Sequence, residues 1–156
     1  MAYQKLQAGR AWSVYKSDNT DIPDIGTAGP TGTTTSGSAT QLIDNTATFL
    51  TNGVKLGMIV VNTTDGTQTT VIGIENDTTL TVANNIFAVT AKAYAIYGGV
   101  QEGAVLYIGT AGDLKVETVA GDEVTFVGVN TGAFFPVHVR KVFATGTSAS
   151  NIIALW

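Results

Sequence analysis

The sequence predicts an all-β protein, and three features of its composition carry that prediction. The 156 residues include 25 threonines and 18 glycines, and valine and isoleucine dominate the other ordered-looking stretches. β-Branched side chains suit a pleated sheet, and glycine suits the tight turns between strands. A chain of this length forms one ordinary domain or two very small ones. We expect two tandem small antiparallel β units, sandwich or barrel-like, preceded by an extended N-terminal arm.

Residues 1–38 are interpreted as the arm and linker. Their apolar side chains are too sparse to close a core, but the aromatic residues Tyr3, Trp12 and Tyr15 favour docking on a partner. A run of glycine, threonine and serine without periodicity covers residues 26–38, which is typical of a linker. A disordered tail in the isolated molecule is the alternative interpretation.

Residues 39–99 are predicted to form a small β module, a meander of five strands. Asp44 is a candidate N-cap for one helical turn over residues 44–50 that Asn52 and Gly53 end, and Asp65 with Gly66 supplies the positive φ angles of a hairpin turn. The clearest strands of this module are expected at residues 57–62, 68–75, 79–82 and 93–97.

Residues 100–156 are predicted to form a second β domain. Pro136 marks an edge strand or a bulge within it. Phe134, Phe135 and Trp156 lie either in its core or at a contact with another subunit. Its strands are expected at residues 104–108, 114–119, 124–129, 134–145 and 152–156.

The charge and composition argue against several classes of partner. The net charge is −4, so the chain lacks the basic footprint of a nucleic-acid-binding protein, and an acidic surface disfavours anionic membranes. No apolar run approaches the roughly 18 residues of a membrane-spanning helix, and the first residues do not resemble a secretory signal. The chain contains no cysteine, which removes disulfides, thiol nucleophiles and cysteine-based zinc sites. The low fraction of charged residues, 13%, is typical of a protein whose surface is partly covered by other subunits.

A search for catalytic or cofactor-binding patterns finds none. The single histidine, His138, has no serine motif to activate, and most acidic residues sit at predicted turns where their side chains bond to local backbone. Residues 18–24 contain three aspartates but do not match an EF-hand, which leaves room only for a weak surface calcium site. The glycine-rich stretch 26–32 lacks the lysine and the following helix of a phosphate-binding loop. We therefore expect no enzyme activity, no cofactor and no resident metal.

Two groups of segments resemble structural proteins of tailed bacteriophages. The first group is QLIDNTATF (41–49), GVKLGMIVVN (53–62), TTLTV (78–82) and YAIY (94–97), whose order is similar to a small β module that recurs in these proteins. The second group is LYIGTAGDL (106–114), PVHVRKV (136–142) and IIALW (152–156), which resembles the spike-base proteins on the heads of phages and gene-transfer-agent particles. Together the two resemblances extend over about two thirds of the chain.

The resemblance implies a non-enzymatic virion protein that decorates or stabilises the exterior of the capsid, either a cement protein or the base of a vertex spike. Its implied partner is the major capsid protein or another virion protein, and its implied location is the outer surface of the head, after assembly in the host bacterial cytoplasm. We expect a homo-oligomer, a trimer first and a pentamer second. If the arm anchors the protein, deleting residues 1–35 leaves a folded core that no longer adheres to particles.

The residues expected at protein contacts are aromatic: Tyr3, Trp12, Tyr15, Phe134, Phe135 and Trp156. One alternative is a tail, neck or fibre adaptor of the virion. Another is a glycan-binding β module in which Trp12, Tyr94 and Tyr97 stack on sugar rings.

Overall fold

The computed structural model describes residues 8–100 and 103–156, and within them the chain is all-β and contains no helix. Two six-stranded antiparallel sheets are present, neither of which closes into a barrel. This confirms the predicted fold class. In chain order the strands are β1 (Ala11–Ser13), β2 (Pro23–Thr33), β3 (Gln41–Ile43), β4 (Ile59–Asn62), β5 (Thr67–Asn76), β6 (Thr79–Val82), β7 (Ala93–Val100), β8 (Ala104–Thr110), β9 (Gly112–Thr118), β10 (Glu123–Val129), β11 (Phe134–Val142) and β12 (Ser150–Leu155).

The chain divides into two compact units, and each contains one sheet. Unit 1 consists of residues 8–18 and 103–156, and its sheet has the order β1-β12-β8-β11-β9-β10. Buried and less buried side chains alternate over Leu114, Lys115 and Val116 of β9, as the sequence pattern of residues 114–119 indicates. The large residues buried in unit 1 are Val105, Leu106, Ile108, Leu114, Val116, Val139, Val142, Phe143 and Ile152.

Unit 2 covers residues 19–100, and its sheet has the order β2-β7-β4-β5-β6-β3. β4 is buried along its whole length between β5 and β7, which explains its β-branched sequence. The hairpin between β4 and β5 is present and turns through residues 63–66, where Gly66 has a φ of +67°. Asp65 is not among the residues with a positive φ, so the prediction of a primed Asp-Gly turn is wrong. The core of unit 2 is formed by Leu42, Phe49, Val54, Val60, Val71, Leu80, Val82, Phe87, Tyr94 and Ile96.

The described part of the predicted arm does not stand apart from the β units, which corrects the prediction of an arm over residues 1–38. β1 pairs with β12 in unit 1, whereas β2 pairs with β7 in unit 2. The glycine-rich run joins the sheet through its backbone, which a search for apolar periodicity does not detect. Its glycines also allow close packing. The Tyr94 hydroxyl occupies the space beside Gly32 that a side chain would need, since a Cβ there would lie only 2.5 Å from it. Tyr3 lies outside the described residues.

Two local predictions in unit 2 are also wrong. Asp44 caps turns and not a helical turn, because the Phe49 and Leu50 amides donate to Asp77 instead of to the preceding turn. The strands do not form a simple meander either, since β7 returns to pair with β4 on the side opposite β5. The segment between β6 and β7 makes this return while burying Phe87 completely.

Candidate interaction surface

The apolar side chains that unit 1 leaves exposed lie on or beside its strands β10 and β11. Val127 is 80% exposed, Phe134 is 61% exposed and Val124 is 38% exposed. Val119, in the turn that leads from β9 to β10, is also exposed. Scattered single apolar residues are normal on protein surfaces, but four in one part of a sixty-five-residue unit form a candidate contact surface.

β10 is the end strand of its sheet and is exposed along nearly its whole length. It pairs with β9 from Glu123 to Phe126, and the register then shifts before Val129 pairs with Gly112. Gly128 occupies the shift with a φ of +66°, and its amide donates to Asp113 Oδ1 at 2.9 Å. An extra residue of this kind is a β-bulge, which bends the strand and turns Val127 out to solvent.

Two aromatic pairs support the exposed residues of β11. The rings of Phe126 and Phe135 meet edge-on with centroids 4.4 Å apart, and those of Tyr107 and Phe134 do so at 5.4 Å. Phe134 and Phe135 are successive strand residues, so the two pairs lie on opposite faces of the sheet. Tyr107 of β8 pairs with Phe134 of β11 on one side and with Ile153 of β12 on the other. The three side chains form an apolar row across one face of the sheet.

Most of the charged side chains next to this surface are neutralised in pairs. Glu117 accepts hydrogen bonds from Arg140 and from Lys141, the latter at 2.7 Å. The Lys141 hydrogen bond, aided by the positive charge of both partners, holds the pKa of Glu117 below its ordinary value although burial opposes this. Lys115 forms an ion pair with Glu123 at 3.2 Å. These pairs leave the exposed carboxylate of Asp122, in the turn before β10, beside the surface without an ion pair to another described residue.

The net negative charge of the protein belongs to unit 2. Six of the twelve acidic residues but only two of the eight basic residues lie between residues 19 and 101, and the rest of the sequence is balanced. Unit 2 also exposes four large apolar side chains, Leu50, Leu56, Ile72 and Val89, so charge is what distinguishes the two units. A net-neutral surface is suited to contact another protein, while an acidic unit favours solubility.

The structure separates the predicted contact residues into two places in unit 1. Trp12 and Tyr15 form an edge-on pair with centroids 6.1 Å apart, and both are half-buried. Trp156 follows β12 and donates its amide to the Arg10 carbonyl beside the same edge of the sheet. Phe134 and Phe135 lie on β11, three strands away from β1 in the sheet order.

Sequence reasoning missed Val124 and Val127, which are the exposed apolar residues of β10. A signal was present in the segment EVTFVGV, because its apolar residues fall on both faces of a strand and a glycine interrupts the alternation. That pattern indicates a bulge on an edge strand.

The aromatic residues proposed for glycan stacking are not arranged as a platform. Tyr94 is buried in the core of unit 2, where its hydroxyl donates to Asp44 Oδ2 at 2.8 Å, so it cannot stack on a sugar. Tyr97 and Trp12 are half-buried and belong to different units. Unit 2 also contains a shallow cavity of about 240 Å³ without an aromatic ring in its lining. The cavity is lined by Asp65, Thr67, Asn85, Ile86, Ala88, Val89 and Lys92.

Catalytic and metal-binding groupings are not found in the described part of the chain. No group of three or more histidine, cysteine or acidic side chains among residues 8–100 and 103–156 could hold a metal ion. His138 lies exposed on β11, with Gly103 and Val119 near its backbone. A search of the described residues also finds no helix with the length and hydropathy needed to cross a membrane.

Comparison with known proteins returns no relative. No protein-family model, no curated protein and no solved structure matches the chain.

Proposed function

We propose that this protein is a non-enzymatic structural protein of a tailed-phage virion that decorates or stabilises the capsid exterior, as a cement protein or as the base of a vertex spike. The observation that carries the proposal is the exposed apolar surface of unit 1, with Phe134 and Val127 at its most exposed points. The resemblance of residues 41–97 and 106–156 to phage virion proteins supplies the biological setting.

In this role the protein acts through binding alone. A protein that binds the assembled shell and not its dissociated subunits shifts the equilibrium toward the shell, by an amount that grows with its concentration over Kd. The partner is the major capsid protein or another virion protein, and the location is the outer surface of the head. Unit 1 makes the contact and the acidic unit 2 remains in solvent. A homo-oligomer, a trimer first or a pentamer second, matches the symmetric positions of such a shell.

The test is decoration of emptied, expanded phage heads by the purified protein. Binding is measured by co-sedimentation, and shell stability by the melting temperature of the heads with and without the protein. We expect Phe134→Asp to weaken binding by at least about tenfold, because burying an unpaired charge at a contact costs more than about 1.4 kcal/mol. Ile72→Asp is the matched control, since Ile72 of unit 2 is exposed to a similar degree.

Four results would contradict the proposal or redirect it. Unchanged binding of Phe134→Asp would show that Phe134 does not make the contact, and equal loss in both variants would show that the contact is not confined to unit 1. Binding to tails or necks but not to heads would favour the adaptor function. Failure to bind any virion part, together with quenching of tryptophan fluorescence by oligosaccharides, would favour a glycan-binding module.

A further inference from the structure

We propose that β10 of one molecule pairs edge to edge with β10 of a second copy of this chain, antiparallel and about a two-fold axis that passes beside Thr125. The proposal rests on the edge chemistry of β10 and does not depend on the function proposed above. In the described residues, β9 is the only strand that pairs with β10, so the outer side of β10 has no partner strand.

The hydrogen-bond pattern of β10 determines which of its backbone groups face outward. The Thr118 amide donates to the Asp122 carbonyl at 3.0 Å, which makes these two residues a hydrogen-bonded pair. Hydrogen-bonded and non-hydrogen-bonded pairs alternate along an antiparallel ladder. Val124 and Phe126 therefore bond to β9, whereas Glu123 and Thr125 direct their amide and carbonyl groups away from it.

A two-fold axis beside Thr125 satisfies these outward groups. It places Thr125 opposite Thr125 of the second copy as a hydrogen-bonded pair, and Glu123 opposite Val127 in the next such pair. Six backbone groups on each copy then gain partners, an amide and a carbonyl at each of Glu123, Thr125 and Val127. A centre at Val124 or Phe126 does not work, because their backbone groups are already bonded to β9.

The side chains of β10 are self-complementary in this register. Val124 lies opposite Phe126 of the second copy, on the face where Val116 and Leu114 are buried, so each apolar core continues into the other. Threonine pairs across strands are favourable, whereas like charges directly opposite one another are destabilising. The only charged side chain of β10, Glu123, opposes a valine and is already paired with Lys115.

The edge also lacks most of the features that prevent such pairing. Exposed edge strands are commonly protected by lysine, proline or an inward-pointing charge. β10 contains none of these over Glu123–Val129, and its bulge lies beyond Phe126, so that among the proposed pairs only Glu123 with Val127 reaches it. The other end strand, β1, has only three residues and offers a shorter edge.

The experiment uses the absence of cysteine from the chain, so that a single introduced thiol reports one position. In a hydrogen-bonded antiparallel pair the Cα atoms are about 5.5 Å apart, within the range that a disulfide spans. We expect T125C to form a covalent dimer under mild oxidation at least about tenfold faster than S13C, because only Thr125 meets its own copy. Ser13 is the matched control, as an exposed hydroxyl residue on the other end strand.

A reversible measurement accompanies the crosslinking. Light scattering from micromolar to millimolar concentration should show a mass rising toward twice the 16.2 kDa of the chain, or toward an even multiple of it. T125K should weaken this association by at least about tenfold through like charges brought face to face, and S13K should leave it unchanged. Circular dichroism spectra identical to that of the unmodified protein show that each variant is folded.

Two results would overturn the inference: crosslinking of T125C no faster than that of S13C, or an association state that T125K leaves unchanged. A folded T125K that fails to associate but still decorates heads supports the inference and leaves the proposed capsid binding intact, while it contradicts the trimer or pentamer proposed above. A T125C chain that crosslinks but does not bind heads supports the inference and contradicts the proposed function.

Discussion

At the scale of single residues, Asp44 is a buried carboxylate that links two distant segments of unit 2. Its carboxylate is buried and accepts three hydrogen bonds, from the Thr46 hydroxyl at 2.6 Å, the Thr46 amide at 2.9 Å and the Tyr94 hydroxyl at 2.8 Å. A buried carboxylate is tolerated only when its oxygens are satisfied in this way. The sequence identified Asp44 as a capping residue, but its partner Tyr94 is fifty residues away.

Removing the Tyr94 hydroxyl should destabilise unit 2. We expect Tyr94→Phe to lower the free energy of unfolding by about 1–2 kcal/mol, because one buried carboxylate oxygen loses a donor while the ring packing is preserved. Urea denaturation followed by circular dichroism measures the change. Tyr107→Phe is the control, since Tyr107 is half-exposed, and its effect should stay within about 0.5 kcal/mol. Equal effects of the two variants would contradict this account of Asp44.

Asp44 should also contribute to acid sensitivity. Burial raises its pKa, but the hydrogen bonds from Thr46 and Tyr94 outweigh that effect and hold the pKa below the ordinary value of 3.8. A carboxyl group with a lowered pKa in the folded state binds its proton more readily when unfolded. Its stabilisation is therefore complete above the unfolded pKa and is lost as pH falls through the folded pKa.

We accordingly expect the urea midpoint of the protein to fall as the pH drops below about 4, with a shallower fall in Asp44→Asn. The measurement is a series of urea titrations from neutral to acidic pH. Glu117 contributes with the same sign, since its pKa is also lowered, so the Asp44→Asn protein should keep part of the pH dependence. Identical pH profiles for the two proteins would rule out a contribution from Asp44.

At the scale of elements, β2 shows how a segment without apolar periodicity becomes part of a sheet. Its residues pair with β7 from Pro23 to Thr33, with three shifts of register along the way. Gly29 and Gly32 allow β7 to approach, because a Cβ at either position would press on Ile96 or Tyr94. The strand is held by backbone hydrogen bonds and close packing, and neither leaves a period-2 pattern in the sequence.

Gly32→Ala tests that packing. The added methyl group would lie 2.5 Å from the Tyr94 hydroxyl and 2.6 Å from Asp44 Oδ2, so one of them must move. We expect a loss of about 1–3 kcal/mol in the free energy of unfolding, as in other overpacked sites. Gly9→Ala is the control, because the nearest atom to its added carbon lies 4.0 Å away. Chemical denaturation of both variants gives the comparison, and a neutral Gly32→Ala would refute the packing argument.

Deletion of residues 1–35 should damage both units and not merely release an arm. It removes β1 from the sheet of unit 1 and β2 from the sheet of unit 2, which exposes the paired edges of β12 and β7. We expect the truncated chain to lose cooperative thermal unfolding and to expose apolar surface to a hydrophobic dye. A sharp transition near that of the full chain would show that the two strands are dispensable.

At the scale of the whole molecule, the two units carry different spectroscopic reporters. Both tryptophans of the chain, Trp12 and Trp156, lie in unit 1. Selective tryptophan fluorescence therefore follows unit 1, whereas far-ultraviolet circular dichroism follows both sheets. This allows the stability of each unit to be measured in the intact protein.

Core truncations in the two units should have different signatures. Leu80→Ala and Leu106→Ala each remove a fully buried side chain, which costs about 2–5 kcal/mol. We expect Leu106→Ala, in unit 1, to shift the fluorescence transition to lower denaturant. Leu80→Ala, in unit 2, should shift only part of the circular dichroism transition. Equal shifts of fluorescence in the two variants would show that the units unfold as one.

Particular residues show how far the sequence alone determined the structure. β-Branched runs and Asp-Gly or glycine turns act locally, through backbone preferences, so the all-β class, the hairpin at Gly66 and most strands after residue 57 could be predicted. The absence of cysteine from the sequence directly excluded disulfides and thiol nucleophiles. The candidate surface was found only in part, because Phe134 was expected at a contact but Val124 and Val127 were not.

The tertiary structure alone decided which strands meet and which faces are covered. The assignment of β1 and β2 to different sheets, the burial of Tyr94 against Asp44 and the position of β10 at an open edge all depend on residues distant in the chain. Backbone hydrogen bonds can form between strands of almost any sequence. The exposure of a side chain depends on which residues pack against it. Those two facts separate what a local pattern can specify from what only the folded chain determines.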